Sequence, residues 1–120
     1  MRHYKNYDVW EKAHKLTLFV YREVLICFPG SEQFDLKSQV KRAAYSIPLN
    51  FVEGCGRNTD KDFAHFLDNS FGSLQELEYT SLLAFDLEYL SKETYGKLSL
   101  FLEEVKAKLI NLIKAVRRER

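Results

Sequence analysis

Gln39–Arg57 reads QVKRAAYSIPLNFVEGCGR: an apolar helical pattern with Pro48 in its interior and Gly54 and Gly56 at its end. With Leu36 just upstream, Val40, Ala43, Ile47 and Phe51 recur at spacings of three and four, the signature of a helix with one buried face. An interior proline removes one helix hydrogen bond and crowds the preceding turn, at about 3 kcal/mol. A helix that carries such a residue in its apolar face is expected to bend there. Gly54 or Gly56 is expected to close the helix in the left-handed conformation. The stretch therefore predicts a buried second helix, from about Asp35 to Val52, kinked at Pro48.

Three more helices follow from the same periodicity. The first is expected from Asp8, as N-cap, to about Cys27. Val9, Ala13, Leu16, Val20, Val24 and Cys27 form one stripe, and Leu18, Tyr21, Leu25 and Phe28 a second on another face. The third opens at Thr59 with Asp62 three residues on, a relative of the capping box. Its stripe is Phe63, Leu67, Ser70, Leu74, Leu77, Ser81 and Ala84, and Gly72 with the serines keeps parts of it thin enough for a close neighbour. The fourth opens at Ser91 and keeps a three-four rhythm through Tyr95, Leu98, Leu102, Val105, Leu109, Leu112 and Val116. Short connections put consecutive helices antiparallel. The expected fold is all-α: one antiparallel up-down-up-down four-helix bundle spanning residues 1–120.

Composition narrows the class. Hydrophobic residues at 46% and charged residues at 29% fit a folded globular chain rather than a disordered one. No apolar run approaches the roughly 20 residues that cross a bilayer. The opening MRHYKNYDVW holds no apolar core of a secretory signal, so a cytoplasmic protein without membrane contact is expected, with Cys27 and Cys55 as reduced thiols. The formal net charge is only +1, yet Lys106, Lys108, Lys114, Arg117, Arg118 and Arg120 face Glu119 alone in the tail. Such a tail reads either as a nucleic-acid footprint or as cations stabilising a helix C-terminus. Tyr4, Tyr7, Trp10, Tyr21, Phe71, Tyr79, Phe85 and Tyr89 do not all fit the main stripes, and this aromatic excess points to self-association.

Catalytic constellations are weak. Glu11 and His14 form a Glu-x-x-His pair, and Asp62 and His65 a shortened one, but both lie in first turns and Glu11 and His14 fall off the buried stripe. A di-metal site needs inward-pointing ligands on all four helices. Neither cysteine has a histidine partner in any known nucleophile pattern, and no glycine-rich phosphate loop follows a strand. No enzyme activity, metal site or cofactor is expected. Arg42, Asn50, Glu53 and Arg57 bracket the proline, and with Glu76 they are expected to form an internal polar network.

Three blocks carry a family likeness. Asp8–Leu16, DVWEKAHKL, is similar to an opening VWxKAxxL. Gln39–Arg57 is similar to QxRRAxxSIPxNIAEGxGR, and Phe63–Leu90, FAHFLDNSFGSLQELEYTSLLAFDLEYL, to FxxFLxxAxGSLxELExxLxxAxxLxYL. The chain thus resembles the bacterial four-helix-bundle proteins encoded in intervening sequences of large-subunit ribosomal RNA genes. The accessory protein of diversity-generating retroelements belongs to the same fold group. The resemblance implies a homopentameric ring without a catalytic motif; in the retroelement branch it implies a basic barrel that binds nucleic acid and a reverse transcriptase. This chain departs from that branch in being nearly neutral, in Lys41 where arginine is frequent, and in Phe51-Val52 for a smaller Ile-Ala pair. The expected role is a non-enzymatic accessory protein associating with RNA or DNA, with ribosomal RNA or a reverse transcriptase as partner. Its phosphate contacts would be Lys114, Arg117, Arg118 and Arg120, joined by Lys37 and Lys41. The rival is a protein-binding adaptor.

Overall fold

The computed structural model describes residues 2–118, and Arg120 lies outside them. Four long helices account for most of the described chain: α1 (Asp8–Phe19), α2 (Leu36–Cys55), α3 (Asp60–Asp86) and α4 (Lys92–Arg118). Among the described residues there is no strand. Each neighbouring pair is antiparallel, as pairings across the seams show. Asp8 meets Lys108 and Lys12 meets Glu104 between α1 and α4; Asp68 meets Arg117 and Glu78 meets Lys106 between α3 and α4. Arg42 reaches Glu76 and Ser70 reaches Ile47 between α2 and α3. The helices stand in ring order, α1 and α3 each touching α2 and α4, and the molecule is 46 Å long. This is the up-down-up-down four-helix bundle that the periodicity predicts.

The first helix changes its winding rather than simply ending. After Phe19 it widens into a π-turn over Val20–Val24 and then tightens into a 3₁₀ turn, Leu25–Cys27. A π-turn shifts the phase of every following side chain. Across that shift burial passes from Val9, Ala13, Leu16, Val20 and Val24 of the first stripe to Leu25 and Phe28 of the second; Leu18 and Cys27 are half-buried, and Tyr21, expected in the second stripe, is exposed. Asp8 is not the N-cap. Tyr7 precedes the helix without a side-chain cap, and Asp8, in the first turn, spends its carboxylate on Lys108 at 2.5 Å.

α2 runs unbroken through Pro48. The proline leaves the Ala44 carbonyl without its usual i+4 donor. Thr17 of α1 reaches the vacancy: its single hydroxyl hydrogen is shared between Ala13 O of its own helix, at 2.9 Å, and Ala44 O, at 3.1 Å. Next to the proline, Ser70 of α3 donates to Ile47 O at 2.8 Å. Hydroxyls of two neighbours thus meet α2 beside the proline, and the one from Thr17 offsets part of the penalty of an unpaired buried carbonyl at Ala44.

Neither glycine after Pro48 closes α2 as expected. Gly54 lies buried inside the helix, and a Cβ there would stand 2.8 Å from Phe66 Cβ, so it serves close approach to α3. Gly56 is right-handed. The left-handed residue belongs instead to Glu88, φ 67°, after α3. There Tyr89 N–H donates to Ala84 O and Glu88 N–H to Phe85 O, both at 2.9 Å, the two bonds of a Schellman cap. Gly72 also differs from expectation, because a Cβ there would meet nothing within 4 Å.

The N-terminal caps of α3 and α4 follow the sequence. Asp62 N–H donates to Thr59 Oγ1 at 3.1 Å, and Thr94 N–H to Ser91 Oγ at 3.0 Å. All seven stripe residues of α3 are buried. The core divides into two clusters, one around Leu16, Ile47, Leu77 and Leu98, the other around Phe51, Phe63, Leu67 and Leu109. Most of the surplus aromatics lie on these clusters. Tyr4, Tyr7, Trp10, Phe71, Phe85 and Tyr89 are half-buried against their own core, whereas Tyr21 and Tyr79 stay 41% and 62% exposed.

Candidate nucleic-acid interface

Antiparallel topology sorts the cations by end. The last turns of α4 share one end of the bundle with the starts of α1 and α3 and the close of α2. Lys114, Arg117 and Arg118 are all exposed there. The N-terminal segment joins them: Arg2 borders the same groove as Leu112, Ala115 and Val116 of α4. Lys5 and Arg57 add exposed cations at this end.

Two of these arginines are already engaged. Arg117 grips both oxygens of Asp68 through its guanidinium fork, at 2.9 and 2.5 Å. The hydrogen bonds from Arg117 hold the Asp68 carboxyl below its usual range, despite an opposing contribution from partial burial. Arg2 donates to Asp60 and, at 2.9 Å, to the Arg57 carbonyl, while its guanidinium lies 4.2 Å from the centre of the Phe63 ring. Arg2 therefore clamps the connection between α2 and α3. Its role was not signalled in the sequence, where it is a lone cation at a chain start. Arg57 covers the Phe66 ring at 4.6 Å. Lys114 and Arg118 are the cations of the expected set best placed to meet a phosphate.

Lys37 and Lys41 do not join this group. They sit at the start of α2, at the opposite end of the bundle; Lys37 is half-buried and Lys41 lies 5.8 Å from the Tyr21 ring centre. The up-down order already implied this separation, since α2 begins where α4 begins and α4 ends where α2 ends.

The expected internal network also comes apart. Arg42 and Glu76 do pair, but at 4.0 Å and on the surface. Asn50 turns back to Ser46 O of its own helix at 2.9 Å, Glu53 is exposed, and Arg57 packs on Phe66. The polar support around Pro48 comes from the hydroxyls of Thr17 and Ser70 instead.

Other reactive groups are directed elsewhere. His14 stacks on Trp10, Glu11 pairs with Lys15, and Asp62 and His65 are exposed. Among the described residues no three His, Cys, Asp or Glu side chains gather as a metal site. Both cysteines are free. Burial pushes the Cys55 thiol up to about 11, with Arg2 pulling it slightly back, so it is a neutral thiol near pH 7. Among the described residues no helix is long and apolar enough to cross a membrane.

The architecture is that of a small four-helix bundle. Residues 5–111 match the 23S rRNA-intervening sequence protein family, and the chain belongs to that family. Among solved structures it is similar to a protein of unknown function from the S23 ribosomal protein family of Bacteroides thetaiotaomicron VPI-5482. The two share 24% identity over 88% of this chain and 95% of the other, with a TM-score of 0.81. That likeness supports the fold. No curated protein matches.

Proposed function

We propose that this chain is a non-enzymatic accessory protein that associates with itself and holds nucleic acid by its phosphates, without reading sequence. The observation that carries the reading is the gathering of exposed Lys114 and Arg118 with Lys5 at one end of the bundle. Cations of this kind bind by releasing counterions from the phosphate backbone, so affinity follows salt rather than base identity. Two or three such contacts per copy bind weakly. A homopentamer, as the family resemblance implies, sets five cationic ends on one assembly and raises the avidity. The family's description makes RNA carrying a 23S intervening segment the first ligand to test, with a reverse transcriptase as the alternative partner.

The test is filter binding or fluorescence anisotropy on such an RNA across a salt series. Lys114→Glu with Arg118→Glu should weaken binding at least about tenfold and flatten the log–log salt slope by about 2 per copy engaged. These two are chosen over Arg117, whose reversal would also break the Asp68 pair. Binding indifferent to both salt and reversal would sink the reading. A second reading, a protein-binding adaptor, is favoured by the large apolar side chains left in solvent, among them Ile26, Phe34 and Leu100. An adaptor would keep its protein partner in high salt.

A further inference from the structure

Trp10 and His14 stand four residues apart on α1, a spacing that sets side chains one above the other. Their rings lie parallel, with 6° between the planes and 5.1 Å between the centres. Tyr4 meets Trp10 edge to face at 4.9 Å. The three rings therefore make a row with a fixed end and an open one: Tyr4 and Trp10 are half-buried, and His14 is exposed. The other parallel pair among the described residues, Phe85 with Tyr95, is half-buried in both rings.

The row begins at the cationic end of the bundle, and His14 lies only about 9 Å of axial rise from the helix start at Asp8. Tyr4 also borders a hollow of about 320 Å³, together with His3, Lys5 and Val52. His3 and Lys5 are exposed there. The nearby carboxylates are already engaged, Asp8 by Lys108, Glu11 by Lys15 and Asp60 by Arg2. A flat exposed ring beside a free cation is what an unpaired base stacks on while its backbone is held electrostatically. Sequence-specific contacts to RNA likewise fall on unstacked bases, because a base inside a duplex has both faces covered by its neighbours.

We infer that Trp10 and His14 form a stacking platform for an unpaired base of single-stranded RNA, with His14 as the contact face and Lys5 serving an adjoining phosphate. The inference rests on the nucleic-acid association in the proposed function and gives it a ligand class, single strands over duplexes. Stacking is tolerant of sequence, since every base has a π-face, so the platform adds affinity without adding base readout.

Trp10 is the single tryptophan of the chain, so its emission reports on the platform directly. The full chain is titrated with an adenine-rich RNA strand of about 12 nucleotides, alone and annealed to its complement, with anisotropy reading binding and Trp10 fluorescence reading stacking. The single strand should bind at least about fivefold more tightly than the duplex and quench Trp10 to saturation. His14→Ala should remove that preference, and His14→Phe, which keeps a flat ring, should retain it; far-UV circular dichroism confirms that both variants stay helical. Binding of neither RNA overturns the nucleic-acid reading itself. Binding without preference for the single strand, or without quenching, overturns the platform alone. So does a preference that survives His14→Ala, or one that His14→Phe abolishes as fully as the alanine does.

Discussion

The α2–α3 seam and the α3–α4 seam share a helix yet are built on opposite principles. Between α2 and α3 the backbones approach until Gly54 leaves no room for a Cβ against Phe66. Phe51 and Phe63 meet edge to face there at 6.0 Å, and Ser70 donates into the α2 backbone. Between α3 and α4, Leu74 and Leu77 pack in one buried cluster with Leu98, Leu102 and Val105, ion pairs bridge the surface, and a groove lined by Tyr79, Leu82 and Tyr95 stays open to solvent. The first seam is closed by near contact of backbones, and the second leaves a groove at its surface. A four-helix protein need not close all its seams equally.

The largest expected effect tests that division directly. Phe63→Ala empties the closed seam and should cost about 3–5 kcal/mol in chemical denaturation. Tyr79→Ala in the open seam should stay within about 0.5 kcal/mol for the isolated protomer. Comparable losses at the two sites would erase the distinction.

Next in size is the repair of Pro48. Thr17→Val keeps the side-chain shape but strands the Ala44 carbonyl, and should cost about 1–3 kcal/mol. Pro48→Ala supplies a backbone N–H four residues after Ala44. In that background the cost of Thr17→Val should shrink by at least about half, a coupling that a double-mutant cycle resolves. Equal costs in both backgrounds would show that Thr17 serves Ala13 alone. A smaller, stabilising change lies at the end of α3. Glu88→Gly removes the strain of a left-handed non-glycine residue and should add up to about 1 kcal/mol, read as a rise in Tm.

Much of this was legible in the sequence, and the parts that were not share a cause. The stripe from Phe63 to Ala84 and the caps at Thr59 and Ser91 depend on spacing within one helix, which a sequence displays. The Thr17–Ala44 contact, the close approach at Gly54 and the clamp by Arg2 depend on which helices meet, and at what height. Glycine at a helix end suggested a left-handed cap for α2, but packing against α3 claimed Gly54 within the helix, and Gly56 stays right-handed. The aromatic surplus resolved in the same way: rings off the main stripes found grooves of their own bundle, leaving Tyr21 and Tyr79 outside. For the candidate site, the cations of α4 were legible as a tail. Their separation from Lys37 and Lys41 follows from chain direction, and the capture of Arg117 by Asp68 emerges only when α3 and α4 are placed side by side.

That capture gives the smallest of the expected effects and the one that bears on the open seam. Hydrogen bonds from Arg117 depress the Asp68 carboxyl, and those from Lys108 do the same for Asp8. A carboxylate with a lowered folded-state pKa contributes stability above its unfolded value, near 3.9, and loses it as pH falls through the folded value. Asp68 is 47% exposed, so solvent screening keeps its share below about 1 kcal/mol. Asp68→Asn should therefore lower stability slightly at pH 7. The gap from the unaltered chain should close as pH falls from about 4 through the lowered folded-state value of Asp68, below which both forms carry a neutral side chain. Urea melts at several pH values read both ends of that window. A gap that persisted at the acid end would mean that Asp68 supports the α3–α4 seam by packing rather than by charge, and the contrast with the closed seam would narrow accordingly.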